Sequence, residues 1–294
     1  MPTNLLHTTN SFLQEDVIHA SDVGLQSRRA LTVDDAKVMA DAGGKKIVRP
    51  GLILYKIAGA TKHRVGLRAT LAAAITASST TSLNLGEIGK IYQSKAAQYF
   101  APGDVVKVLR PYATVTLALT WDDDDTATLV INGQTRVFTP GSATLATGAA
   151  TVAAAINADP VLSKIVVAIA AGAIIYLFSK SLAPFSLAAS ADTTGNGTAT
   201  ASTVLSGVTV GTIDTAGVNV TAGTVTLAAA AAVSLPIGAP VGVEGEPWGL
   251  ILGAHDAGKA DNDIAGFTGG AMYGDRIPYW DGDIAAALNN ITLV

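Results

Sequence analysis

The sequence predicts a mainly β chain interrupted by an α+β insert, and three observations carry that prediction. First, 49% of the 294 residues are hydrophobic, but much of that set is alanine and valine, with threonine, serine and glycine filling most of the remainder. Small and β-branched residues suit strands and tight turns. Second, from residue 51 onward short apolar runs recur between turn residues. Third, residues 114–203 switch to hairpin, helix and hairpin, with small polar linkers on both sides.

Composition bounds the function. Charged residues make up 14%, the net charge is −4 and the pI is near 5.5. No dense Lys/Arg run is present, so nucleic acid is not expected as a partner. The chain has no cysteine, which excludes disulfides and thiolate metal sites. The start, "MPTNLLHTTNSFLQED", lacks a basic stretch followed by an apolar one, so no secretory signal is expected. Mean hydropathy is +0.40, yet the longest strongly apolar run, "IVVAIAAGAIIYLF" (165–178), has 14 residues and an Ala-Gly break. A membrane span needs about 20 residues. Two short strands around a turn fit better, and no membrane partner is expected. The length allows one large or two modest domains. A thin core of small residues favours assembly with other subunits.

Residues 1–50 are mostly polar and read as an arm with little core of its own. Within it "TVDDAKVMA" carries a short helix signal, with Thr32 as cap and Asp34 and Asp35 in the first turn. Gly43-Gly44 would end that helix. After Pro50-Gly51, "GLILYKIAG" reads as a strand. Residues 67–85 fit one helix or two strands equally. Pro102-Gly103-Asp104 makes a turn before the strand "VVKVL".

The insert begins near residue 114. "TATLV-ING-QTRVF" is a hairpin, because Asn132-Gly133 is the favoured pair for a tight type I′ turn. A helix follows over roughly 148–158, with Thr147 or Thr151 as cap and Asp159-Pro160 as its close. Its anchors Val152 and Ile156 are four apart and share one face. "KIVVAIAAGAIIYLFSK" is a second hairpin and "FSLAAS" a further strand. Residues 192–207 read as a flexible Gly/Ser/Thr return linker. Strands and turns then resume. The alanine run within 228–234 could be helical, although its flanks are strand-like. "WGLIL", "FTGGAMY" and "ITLV" read as strands, with "DGDIAAALNN" a turn or short helix before the last.

Candidate sites are few. "GAHDAGKA" (253–260) places Gly253, Gly258 and Lys259 in P-loop register, but Ala260 stands where the magnesium-binding hydroxyl belongs. A P-loop also needs a following helix to aim its N-terminus at phosphate, and "DNDIAGFTGG" is too rich in turn residues for that. A solvent loop is the better reading. Asp122, Asp123, Asp124 and Asp125 could hold a hard cation such as calcium. Their spacing matches no EF-hand loop, and adjacent like charges favour a solvated linker. His7, His19, His63 and His255 show no zinc spacing. Gly195 and Gly197 follow a polar linker and read as flexibility. No G-x-S-x-G elbow is present. No catalytic residue and no cofactor is expected. Trp121, Trp248, Trp280, Tyr273 and Tyr279 read by default as core or subunit-interface packing, and "RIPYWDGD" would suit an interface hot spot if exposed.

The closing stretch "GLILGAHDAGKADNDIAGFTGGAMYGDRIPYWDGDIAAALNNITLV" runs small-residue strand, polar loop, Gly-containing strand, polar-aromatic turn, short Ala-rich helix, terminal strand. This resembles the lambda-type head decoration (capsid-stabilising) protein family of tailed phages. "VRPGLILYKI" resembles that family's opening strand after an N-terminal arm. The insert, with its "A-A-A-I-N-A-D-P" between hairpins, resembles a small α+β module that recurs in phage heads, sheaths and fibres. Members of the decoration family are much shorter than this chain, so the central module reads as an addition.

The resemblance implies a small β-barrel or β-tulip-like decoration domain, formed by residues 51–113 and 204–294. A ββαββ module at 114–203 splits it and faces outward, and an extended arm at 1–50 contacts the capsid. It implies a homotrimer at three-fold positions of an expanded shell, with the major capsid protein as partner. The location implied is the outer surface of the phage head, after synthesis in the host cytoplasm. The arm would order on the shell and add a strand there or lie across subunit joints. Candidate contact residues are Arg28, Arg29, Arg49, Trp248, Arg276, Tyr279 and Trp280. Three alternatives stay open: a head fibre or tail component, a nucleotide hydrolase acting through residues 253–260, and a cell-surface binding module.

Overall fold

In the computed structural model, the described residues are 28–86, 95–141, 144–192, 196–251, 254–258, 263–272, 277 and 282–293. The first stretch holds β1 (Arg28–Thr32), β2 (Ile47–Val48), β3 (Ile53–Lys56), β4 (His63–Val65), β5 (Arg68–Thr70), β6 (Ser82–Asn84) and β7 (Val105–Val108). Next come β8 (Tyr112–Ala118), β9 (Thr126–Ile131), β10 (Gln134–Phe138), α1 (Leu145–Ala158), α2 (Leu162–Ile165), β11 (Val166–Ala171), β12 (Ile174–Ser179), β13 (Leu187–Asp192) and β14 (Thr198–Ala201). The chain then runs through β15 (Thr209–Asn219), β16 (Thr224–Leu227), β17 (Pro240–Gly242), β18 (Glu246–Ile251), β19 (His255–Asp256), β20 (Asp263–Phe267), β21 (Gly270–Met272), α3 (Gly282–Ala287) and β22 (Ile291–Leu293). The protein is mainly β.

Its largest sheet has the order β5-β17-β7-β15-β16-β6. Leu71, just after β5, bridges Leu85, just after β6, so the two ends of the row meet and the sheet curls into a half-barrel. The long strand β15 makes the bend possible. Its register slips against both β7 and β16, and such irregularities increase local twist. Gly211 lies where a Cβ would come within 2.9 Å of a Leu227 methyl. Residues 67–85, open between helix and strand in the sequence, form β5, β6 and the bridges of Leu71 to Leu85 and Ile75 to Leu235. The alanine run is not helical. The Ala231 amide donates to the Thr80 carbonyl (2.7 Å) and that of Ala232 to Val210 (2.9 Å), so barrel partners override alanine's helical preference.

A second sheet, β1-β20-β18-β3-β4, packs beside the barrel. It corrects the expected arm. Residues 28–50 are joined to the body: β1 pairs with β20 over five residues, and Val33, Val38 and Val48 are buried in the barrel's core. The helix expected at "TVDDAKVMA" is only a 3-10 turn, Asp35–Lys37, and Thr32 belongs to β1 rather than capping it. Burying Val33 and Val38 on either side of this turn holds the segment too extended for an α-helix.

The insert has its own apolar cluster, built from β8, β9, α1, β11 and β12. Its strands form two sheets, β10-β9-β13 and β11-β12-β8-β14, and α1 packs on the second, chiefly against β11. Strands β8 and β9 alternate buried and half-buried residues, with threonine mostly on the wetter face. Tyr112, Tyr176 and Phe178 instead join the barrel's core. Asn132 and Gly133 have φ of 49° and 75°, as a type I′ turn requires. Helix α1 starts earlier than expected. Thr144 is its cap, accepting from the Thr147 amide at 3.2 Å, and Thr147 sits in the first turn. The expected linker at 192–207 contains β14, which pairs with β8 in the Thr-Ala alternation of residues 198–201.

Candidate functional site

Four of the contact candidates fall in described residues. Arg28 and Arg29 lie on β1, in register with Phe267 and Gly266 of β20. Trp248 lies on β18 of the same sheet, and Arg49 leads from β2 into β3. Arg276, Tyr279 and Trp280, with Tyr273, lie outside the described residues. Three of the described candidates therefore lie on the five-stranded sheet and Arg49 leads into it, near where the segment after β1 crosses the body.

That crossing is built from charged groups. The Asp34 amide donates to the His63 carbonyl (2.8 Å), and Val33 bridges His63 in parallel. His63 packs its ring on Trp248, with centroids 5.1 Å apart. Lys62 Nζ lies 3.5 Å from the Asp35 carboxylate, and Lys46 Nζ donates to the Asp35 carbonyl at 2.9 Å. Desolvation alone would raise the Asp35 carboxyl. The Lys62 charge and hydrogen bond, the Ala36 amide and Lys46 overcome it and hold the group below the usual carboxylate range.

One layer deeper, Arg64 and Asp104 are both almost fully buried. Arg64 Nη1 and Nη2 donate to the two Asp104 oxygens at 3.0 and 2.8 Å, and Nη2 also donates to the Tyr99 carbonyl at 3.1 Å. Asp104 accepts a further bond from the Ala101 amide at 2.8 Å, and Lys37 Nζ stands 3.9 Å away. The Tyr99 hydroxyl donates to the Ile47 carbonyl (3.1 Å). Gly66, at φ 61°, leaves room for the Tyr99 ring, which a Cβ would meet at 2.9 Å. This is a lock that ties the crossing, β4 and the turn before β7 together. Sequence reading marked Asp104 only as a turn residue and missed Arg64 and Tyr99.

The remaining candidates are placed as follows. In the Asp122–Asp125 run, the Asp122 amide donates to Asp125 Oδ2 (2.9 Å) and the Asp125 amide to the Asp122 carbonyl (3.2 Å). Asp125 is buried while Asp122, Asp123 and Asp124 are exposed, so the run braces a turn. Among the described residues, no three His, Cys, Asp or Glu side chains come together as a metal site. Of residues 253–260, Ala254–Gly258 are described. His255–Asp256 form β19 against β2, Asp256 Oδ1 accepts from the Gly258 amide (3.0 Å), and the next described element is strand β20. Gly253, Lys259 and Ala260 lie outside the described residues, as do His7, His19 and Gly195.

Gly197 is not a flexible linker residue. The Trp121 ring lies where its Cβ would be, at 2.9 Å, and Trp121 itself is buried with Nε1 donating to the Ala118 carbonyl (3.1 Å). The "A-A-A-I-N-A-D-P" residues also have structural tasks. Asn157 bonds both the amide and the carbonyl of Ala168 (2.9 and 2.8 Å), fastening α1 to β11. Asp159 accepts from the Val161 and Leu162 amides and from Arg136 Nε. A small cavity of about 220 Å³ opens at the opposite end of α1, lined by Leu117, Trp121, Pro140, Thr144 and Leu145 among others. No described helix is long and apolar enough to cross a membrane. A scan against protein-family models and a search of curated proteins each find no match to this chain.

Proposed function

We propose that this chain is a structural virion protein, a decoration or cement protein that binds the outside of an expanded phage capsid as a trimer at three-fold positions. The order of elements at the end of the chain carries the reading. Strand β18, the β19 turn, strands β20 and β21, the short Ala-rich α3 and the terminal β22 follow the order that the resemblance rests on. The curled sheet supports it. So does β1, which forms an outer strand of its sheet just after the polar stretch 1–27. In this reading the stretch 1–27 continues from β1 onto the shell and clamps subunit joints against internal pressure. Arg28, Arg29, Arg49 and Trp248, with Arg276, Tyr279 and Trp280, face the capsid or a neighbouring copy. The barrel is the β-tulip-like decoration domain, and the ββαββ insert with its own core points outward. The protein's task is mechanical, and no reaction or cofactor enters it.

The test is the copy number of this chain in purified virions, by quantitative mass spectrometry against the major capsid protein. A ratio near one-to-one is expected. A few copies per particle would overturn the reading in favour of a fibre or tail component. Absence from virions would overturn it altogether and direct attention to Lys259.

A further inference from the structure

We propose that His63 is a proton-operated latch on the root of the arm: neutral, its ring ties the Thr32 backbone to the five-stranded sheet, and protonation loosens the Thr32–Asp35 crossing. The latch does not depend on the function proposed above, and a failed virion count would leave it standing.

The geometry is specific. His63 opens β4, the outer strand of its sheet, and its own carbonyl accepts the Asp34 amide at 2.8 Å. Its ring hydrogen-bonds the Thr32 backbone, while Nδ1 is shielded from solvent with no hydrogen-bond partner among the described residues. The ring lies against Trp248, tilted 56° to the indole. A neutral imidazole suits this site, because one nitrogen donates and the other is a bare lone pair. A second proton would put an N–H on buried Nδ1 with nothing to accept it, and leaving a buried donor unsatisfied is costly.

The surrounding charges bear on the same point. Lys56 sits directly across from His63 on β3, and Glu246 of β18 is in register with Lys56. Lys62, just before β4, and Arg64 on it flank the ring's residue in sequence, with Lys62 engaged by Asp35 and Arg64 by Asp104. Asp34, Asp35 and Lys46 come from the crossing segment and the stretch after it. Desolvation is the main influence lowering the ring's proton affinity; Lys56 adds to it, and the Thr32 bond opposes both.

The sign follows. With the crossing closed, the ring holds its proton less tightly than in the open state, where the ordinary value of about 6.5 applies. The latch is therefore at full strength well above that value and weakens as pH falls through it. The weakening stops once the closed-state ring is itself protonated.

Hydrogen exchange at the Asp34 amide reads the latch directly, because that amide bonds the His63 carbonyl. In the full chain, and after correction for intrinsic rates, its opening should increase as pH falls below about 6.5, by up to about tenfold per pH unit, the limit for one proton taken up. His63→Gln keeps an N–H donor but does not titrate in this range, so its Asp34 protection should be independent of pH. An equal loss of protection in His63→Gln would overturn the proposal. Should that variant not fold, the His63 ring signals in the unaltered chain decide by NMR. Titration below the ordinary histidine range, in step with Asp34 opening, supports the latch. Titration at or above that range, or ring protonation without a change in Asp34 exchange, overturns it.

Discussion

Arg64 and Asp104, 40 residues apart, meet as a buried two-pronged ion pair that joins β4 to the turn before β7. Every prong has a use: Arg64 also serves the Tyr99 carbonyl, and Asp104 also takes the Ala101 amide. The pair sits under the crossing where residues 33–38 pass over the barrel, and Lys37 adds a third charge at 3.9 Å. Cutting one partner from such a pair leaves the other charge buried without compensation.

Arg64→Ala is accordingly expected to destabilise the protein by about 3–5 kcal/mol. Arg64→Lys keeps the charge but cannot span both carboxylate oxygens, so it should still lose a substantial part of that stability. Urea unfolding of the three proteins side by side measures both. An Arg64→Ala midpoint within error of the parent would show that the pair contributes nothing net.

Gly197 supplies a second test, in the insert. Its missing Cβ leaves space for the Trp121 ring and the Thr120 carbonyl, at 2.9 and 3.1 Å. Gly197→Ala should force Trp121 to move and cost about 1–3 kcal/mol, as overpacking of a tight core does. Thermal unfolding followed by near-UV circular dichroism reports both the lost stability and the disturbed indole. An unchanged spectrum and melting point would restore the linker reading.

These residues also mark the boundary of what the chain's letters disclose. Local chemistry was readable: Asn132-Gly133 makes its turn, Val152 and Ile156 bury one helix face, and the 165–178 run folds as a hairpin after the end of α2. Local signals failed where distant partners decide. The alanine run is irregular and not helical because Thr80 and Val210 accept its amides. "TVDDAKVMA" is only a turn because Val33 and Val38 are drawn into the core. Glycine at 197 reads as flexibility until Trp121 is seen against it. The site shows the same limit. Trp248 stood out by residue type, but its partner His63 and the Arg64–Asp104 lock depend on the β3–β4 hairpin meeting β18 and the turn before β7, both far away in sequence.

Asp159 yields the last prediction, and its direction depends on pH. Its carboxylate accepts the Leu162 amide at 2.9 Å, Arg136 Nε at 2.7 Å and the Val161 amide at 2.8 Å. Led by the Leu162 bond, these contacts hold its carboxyl below the ordinary value of 3.8. A carboxyl with a lowered folded-state value stabilises the protein above its unfolded value, and that contribution disappears as pH falls through the folded one. The contribution is thus fully present at neutral pH and drains away only below 3.8. Asp159→Asn can still accept from the α2 amides but loses the charge that Arg136 meets. At neutral pH the variant should melt below the parent. The gap should narrow as pH drops below 3.8 and close once the parent's carboxyl is protonated. Melting temperatures of the two proteins across that range measure it. A gap that stays constant into acid would mean that the carboxylate's charge plays no part in joining the β9–β10 hairpin to the end of α1.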